Sequence, residues 1–292
     1  MISTLTYIPR RTPLARAGVL AASAYLGAFI AVAFAFSHPV VLAADATAVV
    51  IAGLAAGTGR ALAASLRFAA ALGILMIIAN AIASQRGDTI LIRGPDVPVL
   101  GVVNVSAEAL AEGGVLALRV AIVIAAFAVF TAAIDPDRVL RLLRPIARRS
   151  ALTATLVVRL VPLAAADHAR LRDAASLRGP AAAPVSRPVL VRRLVAGSLD
   201  RSVDAAATLE LRGYARGAPG RTDRAWRSPV DTGFWLVSAA TVAASVAALV
   251  SGAARYESYP SVDAALEPLG LVLALSLPAL AAVPSLLRAL VR

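Results

Sequence analysis

Cysteine and lysine are both absent from the 292 residues. Without cysteine there is no disulfide framework, no thiolate nucleophile and no cysteine-based metal site. Without lysine, all 29 basic residues are arginine, which stays charged in any surroundings and must lie where that charge is tolerated. Histidine occurs twice, at His38 and His168, too sparsely for a zinc-ligand pattern. No Gly-rich loop ending in Lys-Ser or Lys-Thr is present, so ATP would have to be hydrolysed by another chain. Acids and histidines do not cluster as a nucleophile–base pair. The expectation is a protein that is not an enzyme, with no catalytic residue, no cofactor and no metal site.

What is abundant is apolar surface. The composition is 59% hydrophobic, with a mean hydropathy of +0.79. A soluble chain of this length rarely reaches that value, which points to an integral membrane protein. Arg10, Arg11 and Arg16 precede an apolar run of about twenty residues, longer than the core of a signal peptide, so a retained first membrane helix is expected. Residues 17–36 are long enough to cross a hydrocarbon core of roughly 30 Å. After the turn at Ser37-His38-Pro39, residues 40–57 return, and 68–84, 115–134, 232–252 and 268–287 supply four more spans. Between the third and fourth, "GDTILIRGPDVPVLG" predicts a short extended excursion bounded by Gly and Pro.

Charge orients this arrangement. With the N-terminus inside, the inner segments hold 25 arginines against nine acids, and the outer ones four against seven. That is the positive-inside pattern, with both termini cytoplasmic in a multi-pass plasma-membrane protein. The net charge of +12 then follows from topology. It requires no nucleic acid, and it favours anionic membrane lipids as neighbours. The chain divides into 1–134 with spans one to four, a polar cytoplasmic region 135–231, and 232–292 with spans five and six. "SALTATLVVRLVPLAAA", 150–166, is apolar but carries Arg159 at its middle. An arginine near the bilayer centre costs roughly 2.5–3.5 kcal/mol, so this stretch reads as a long helix entering from the membrane face or lying against it.

Within 135–231 one tripeptide is written twice, 34 positions apart: "DAASLRGPAAAP" at 173–184 and "AATLELRGYARG" at 206–217. Leu171, Ala174, Ala175 and Arg178 share one helical face, and Ala205, Thr208, Leu209 and Arg212 repeat the arrangement. Gly179 and Gly213 read as left-handed helix stops, and the arginine before each meets the negative end of its helix. Composition predicts about two Arg-Gly neighbours by chance and five occur, so a lone Arg-Gly is an ordinary helix end. The signal is the repetition at the ends of two Ala-rich helices.

These residues are where the chain resembles a family: the transmembrane T component of energy-coupling factor transporters, which includes the cobalt-transport permease type. The family's two Ala-Arg-Gly-like motifs correspond to Leu177-Arg178-Gly179 and Leu211-Arg212-Gly213, with Leu in place of the usual Ala. "VVRLVPLAAADHARLRDAASLRG" is similar to the lead into the first motif and "SLDRSVDAAATLELRGYARG" to the second; "EGGVLALRV" is similar to the end of the loop before the fourth helix. The resemblance is specific over about 155–217. It implies an all-α membrane protein of about six spans with two long crossing cytoplasmic coupling helices. It further implies two ATPase subunits or domains docked on the motif ends, and a separate small membrane S component that binds a vitamin or transition-metal ion. A conventional ABC permease is the main alternative, because Asp173-Ala174-Ala175 followed by Gly179 nearly fits that family's loop, but the second motif is then unexplained. A membrane-embedded transferase is weaker still, for want of clustered acids or histidines.

Other polar residues have plainer readings. Asp45, five residues into its span and near His38, is expected to snorkel or to serve the helix N-terminus. Asp135-Pro136-Asp137 reads as the start of a helix over 138–149. Gly53 and Gly57 form a GxxxG pair for close packing. Asn80 and Arg119 are expected to hydrogen-bond inside the bundle. His38 and His168 fall on opposite sides of the membrane.

Overall fold

The structure is a computed structural model that describes residues 12–84, 87, 89–97, 101–143, 148–177, 186–211, 230–258 and 263–290. The chain forms two compact units, Met1–Asp135 with Ala225–Arg292, and Pro136–Arg224.

The first unit is a bundle of apolar helices. A short helix α1 (Pro13–Arg16) leads into α2 (Val19–Ala35) and α3 (Pro39–Ala55). Pro39 occupies the first turn of α3, where its missing N–H is not needed, and His38 caps the helix through Nδ1, which accepts from Val40 N–H at 3.3 Å. The turn into α4 (Gly59–Ala83) is closed by Thr58, whose hydroxyl donates to the Gly53 carbonyl at 2.8 Å. Gly57 there has φ +69°, the left-handed region. It therefore shapes a turn, while Gly53 alone does the packing expected of the pair: a Cβ at Gly53 would lie 2.8 Å from the Val129 side chain.

Strands β1 (Ile90–Val97) and β2 (Gly101–Ser106) pair antiparallel, with Ile90 opposite Ser106 and Asp96 opposite Val102, and with two irregularities. The extended excursion is thus a hairpin. Helix α5 (Ala107–Ala133) follows at once and begins eight residues before the expected span, because the Ser106 hydroxyl caps it by accepting from Ala109 N–H at 3.2 Å. Glu108 in its first turn is buried and accepts the Thr89 N–H at 3.1 Å, fastening the hairpin's first strand to the helix. Helices α4 and α5 pack closely along their lengths: a Cβ at Gly113 would come 2.9 Å from the Ile77 Cα, and one at Gly73 would come 3.1 Å from Ala117.

In the second unit, α6 (Pro136–Leu143) and α7 (Arg148–Ser176, with Pro162 inside) are followed by α8 (Arg187–Leu211). Of the helix expected over 138–149, α6 holds 138–143 and α7 begins at Arg148, while 144–147 lie outside the described residues. The chain then returns to the bundle with α9 (Asp231–Ser251), a second hairpin of β3 (Ala254–Glu257) and β4 (Asp263–Leu266), and α10 (Pro268–Leu290).

Among the described residues, four helices, α4, α5, α9 and α10, are long and apolar enough to cross a membrane; α2 and α3 are apolar but only 17 residues each. At 1.5 Å per residue those two reach about 26 Å, the short end of what spans a bilayer. The fold class is an all-α membrane protein. Its core joins Phe29 and Val32 of α2, Leu42 and Val49 of α3, Ile122 and Val129 of α5 and Leu277 of α10. Phe68, Ile74, Leu75 and Ile78 of α4 stay exposed, a face suited to lipid rather than water.

A candidate coupling unit and the buried polar groups of the bundle

Helices α7 and α8 are polar on average yet carry small and aliphatic residues at helical spacing. Among the described side chains, Leu160, Ala164, Asp167, Leu171 and Ala175 are the less exposed positions of α7, and Leu190, Leu194, Gly197, Ser198, Arg201, Ala205 and Leu209 those of α8. Of the two faces read from the sequence, Leu171, Ala175, Ala205 and Leu209 are half-buried, whereas Ala174 and Thr208 are exposed. The two helices are in contact with each other.

An ion pair marks the meeting point. Asp167 of α7 pairs with Arg201 of α8; their side chains are 19% and 33% exposed. Asp167 also reaches Arg170 at 3.5 Å, but that guanidinium is 76% exposed and solvent-screened. Arg201 is held by its own helix as well, since its Nε donates to the Gly197 carbonyl at 2.9 Å. Residue-by-residue reading passed over this pair. A signal existed: Asp167 stands eleven positions before Arg178, and Arg201 eleven before Arg212.

Helix α7 ends with Ser176 donating to the Asp173 carbonyl at 2.7 Å and Leu177 N–H donating to the same carbonyl at 3.1 Å. Leu177 is 85% exposed and Leu211, the last residue of α8, is 89% exposed. Arg178, Gly179, Arg212 and Gly213 lie outside the described residues.

In the bundle, Arg119 of α5 reaches the C-terminal end of α2. Its guanidinium donates to the carbonyls of Ala33 at 2.8 Å and Phe36 at 3.3 Å and to the Ser37 hydroxyl at 3.1 Å. That answers the need of a cation in an apolar span with acceptors that α2 leaves free at its end. Asn80 of α4 donates to the Ala109 carbonyl of α5 at 2.7 Å. Asp45 corrects the expectation of snorkelling. It lies on the inward face of α3 with Val41, Leu42 and Val49 and is completely buried, because its short side chain cannot reach past its own helix to water. His38 is buried too, edge-on to Tyr256 at 6.3 Å. Burial pushes its imidazole below the ordinary range, and a backbone hydrogen bond with Ala264 partly offsets this. His168 belongs to α7, in the other unit.

A chain with a bundle of apolar helices and an arginine-rich unit of paired polar helices is a multi-helix membrane protein of the permease class. Residues 11–223 match the model of the cobalt transport protein family, CbiQ, which is nearly three quarters of the chain and includes both Leu-Arg-Gly motifs. The chain belongs to that family. The family is a component of transport and not a known enzyme. No curated protein matches the chain.

Proposed function

We propose that this chain is the T component of an energy-coupling factor importer, seated in the plasma membrane with both termini in the cytoplasm. On this reading it joins two ABC ATPase subunits or domains to a separate small S component. The S component selects the cargo, which the family's description suggests is cobalt. The observation that carries the reading is the pair of ion-paired helices, α7 and α8, with Leu177 just past the end of one and Leu211 at the end of the other, both almost fully exposed and directly before Arg178-Gly179 and Arg212-Gly213.

The chemistry of the motif suits docking. A guanidinium stays charged when partly desolvated and grips a carboxylate with two parallel hydrogen bonds. Glycine beside it removes a side chain where a partner's surface must approach. An exposed pair of this kind contributes at most about 1 kcal/mol, whereas truncating one partner of a buried interfacial pair costs about 2–5 kcal/mol. Transmission of force from nucleotide-driven closure requires the buried case.

The test is replacement of Arg178 and Arg212 together by alanine. ATPases should no longer copurify and transport should be lost, with membrane insertion intact. Single replacements should be milder, because two sites share the attachment. Normal copurification and transport by the double variant would overturn the coupling role.

A further inference from the structure

We infer that the Asp167–Arg201 ion pair is the fulcrum of helices α7 and α8, a positioning pair that sets the separation of their two ends. The inference rests on the coupling reading for its functional meaning, but its geometry stands by itself.

The less exposed positions beside the pair are mostly alanines and leucines, which tolerate sliding by a turn, since a neighbouring small residue replaces the one displaced. An ion pair does not slide. Moving either helix by one turn, about 5.4 Å, would separate Asp167 from Arg201 and leave the partly buried carboxylate only the exposed Arg170 of its own helix. Arg201 is held at both ends of its reach, by Asp167 of the other helix and by the Gly197 carbonyl on its own helix.

The position of the pair matters as much as its strength. From Asp167 to the end of α7 at Ser176 is about 14 Å of helix, and from Arg201 to the end of α8 at Leu211 about 15 Å. In the sequence the pair lies eleven residues before each motif arginine. The contact is therefore pinned at nearly equal distances from the two ends. Two equivalent ATPase sites require this if both ends are to engage together.

The absence of native cysteine allows a direct test. Spin labels on Ser176→Cys and Glu210→Cys, both at exposed positions, report the separation of the two ends in the full-length membrane protein. The parent should give one narrow distance distribution. Asp167→Asn and Arg201→Gln should each broaden it, with helix content and membrane insertion unchanged. If one of these variants fails to insert, the other is read. The charge swap Asp167→Arg with Arg201→Asp should restore the narrow distribution. Unchanged distances in the single variants, or a swap that fails to restore them, would overturn the fulcrum. A second arm separates the two claims. Distances that respond as expected while ATPases still copurify with the Arg178/Arg212 double variant keep the fulcrum and remove the coupling role.

Discussion

Arg119 and Asp45 are both ionisable groups inside apolar helices, and the bundle treats them differently. Arg119 turns to the free carbonyls at the end of α2. Replacing it with leucine would leave those acceptors unpaired, so a loss of about 1–3 kcal/mol in stability is expected, read as earlier thermal unfolding in detergent. Arg119→Lys should recover only part of that, since an ammonium cannot span the same acceptors with a planar fork. His38 gives a pH dependence whose sign is determined. Its imidazole binds a proton less readily in the fold than in the unfolded chain, where the ordinary value is 6.5. Stability is thus complete above that value and falls as pH drops below it, because the unfolded state takes up the proton first. The measurement is the unfolding midpoint against pH, and His38→Gln should flatten the fall. Along the chain, His38 and Asp45 look like surface-seeking groups near a helix start. Their burial follows from which helices close over α3, information that no local window contains.

Elements show the same division between local and distant causes. The turn at residues 37–39 and the extended excursion after α4 were legible because Pro, Gly and capping residues act on their immediate neighbours. The early start of α5 and the second hairpin were not. The first depends on Ser106 and on Glu108, whose partner Thr89 lies nineteen residues away. Glu108→Ala should therefore release the first hairpin without unfolding α5. The expected readout is roughly tenfold faster amide exchange at Thr89, corresponding to about 1–1.5 kcal/mol for the lost hydrogen bond. The close backbone approach at Gly113 was missed as well, since its partner Ile77 lies on another helix. Gly113→Val would drive side-chain atoms into the Ile77 backbone, and it should cost about 1–3 kcal/mol and loosen α4 from α5, seen as a lower unfolding temperature.

The whole molecule combines an apolar bundle with a polar, arginine-rich unit, and the placement of charge predicts how it lies in a membrane. Single cysteines at Leu91 of β1 and Leu199 of α8, both exposed, should react with an impermeant maleimide from opposite sides: Leu91→Cys in intact cells and Leu199→Cys only after permeabilisation. Labelling of both from one side would refute the orientation drawn from the arginine bias.

Composition and local order were enough to establish a membrane-embedded helical protein, the approximate places of its apolar helices and the doubled Leu-Arg-Gly signal. These properties depend on residues within a few turns of one another. Folding in three dimensions alone decided that Asp45 is enclosed, that Arg119 completes α2, that Gly113 rather than Gly57 brings helices together, and that Asp167 meets Arg201. Each of these depends on groups brought together from different elements of the chain, and burial, close approach and ion pairing exist only once that meeting has occurred.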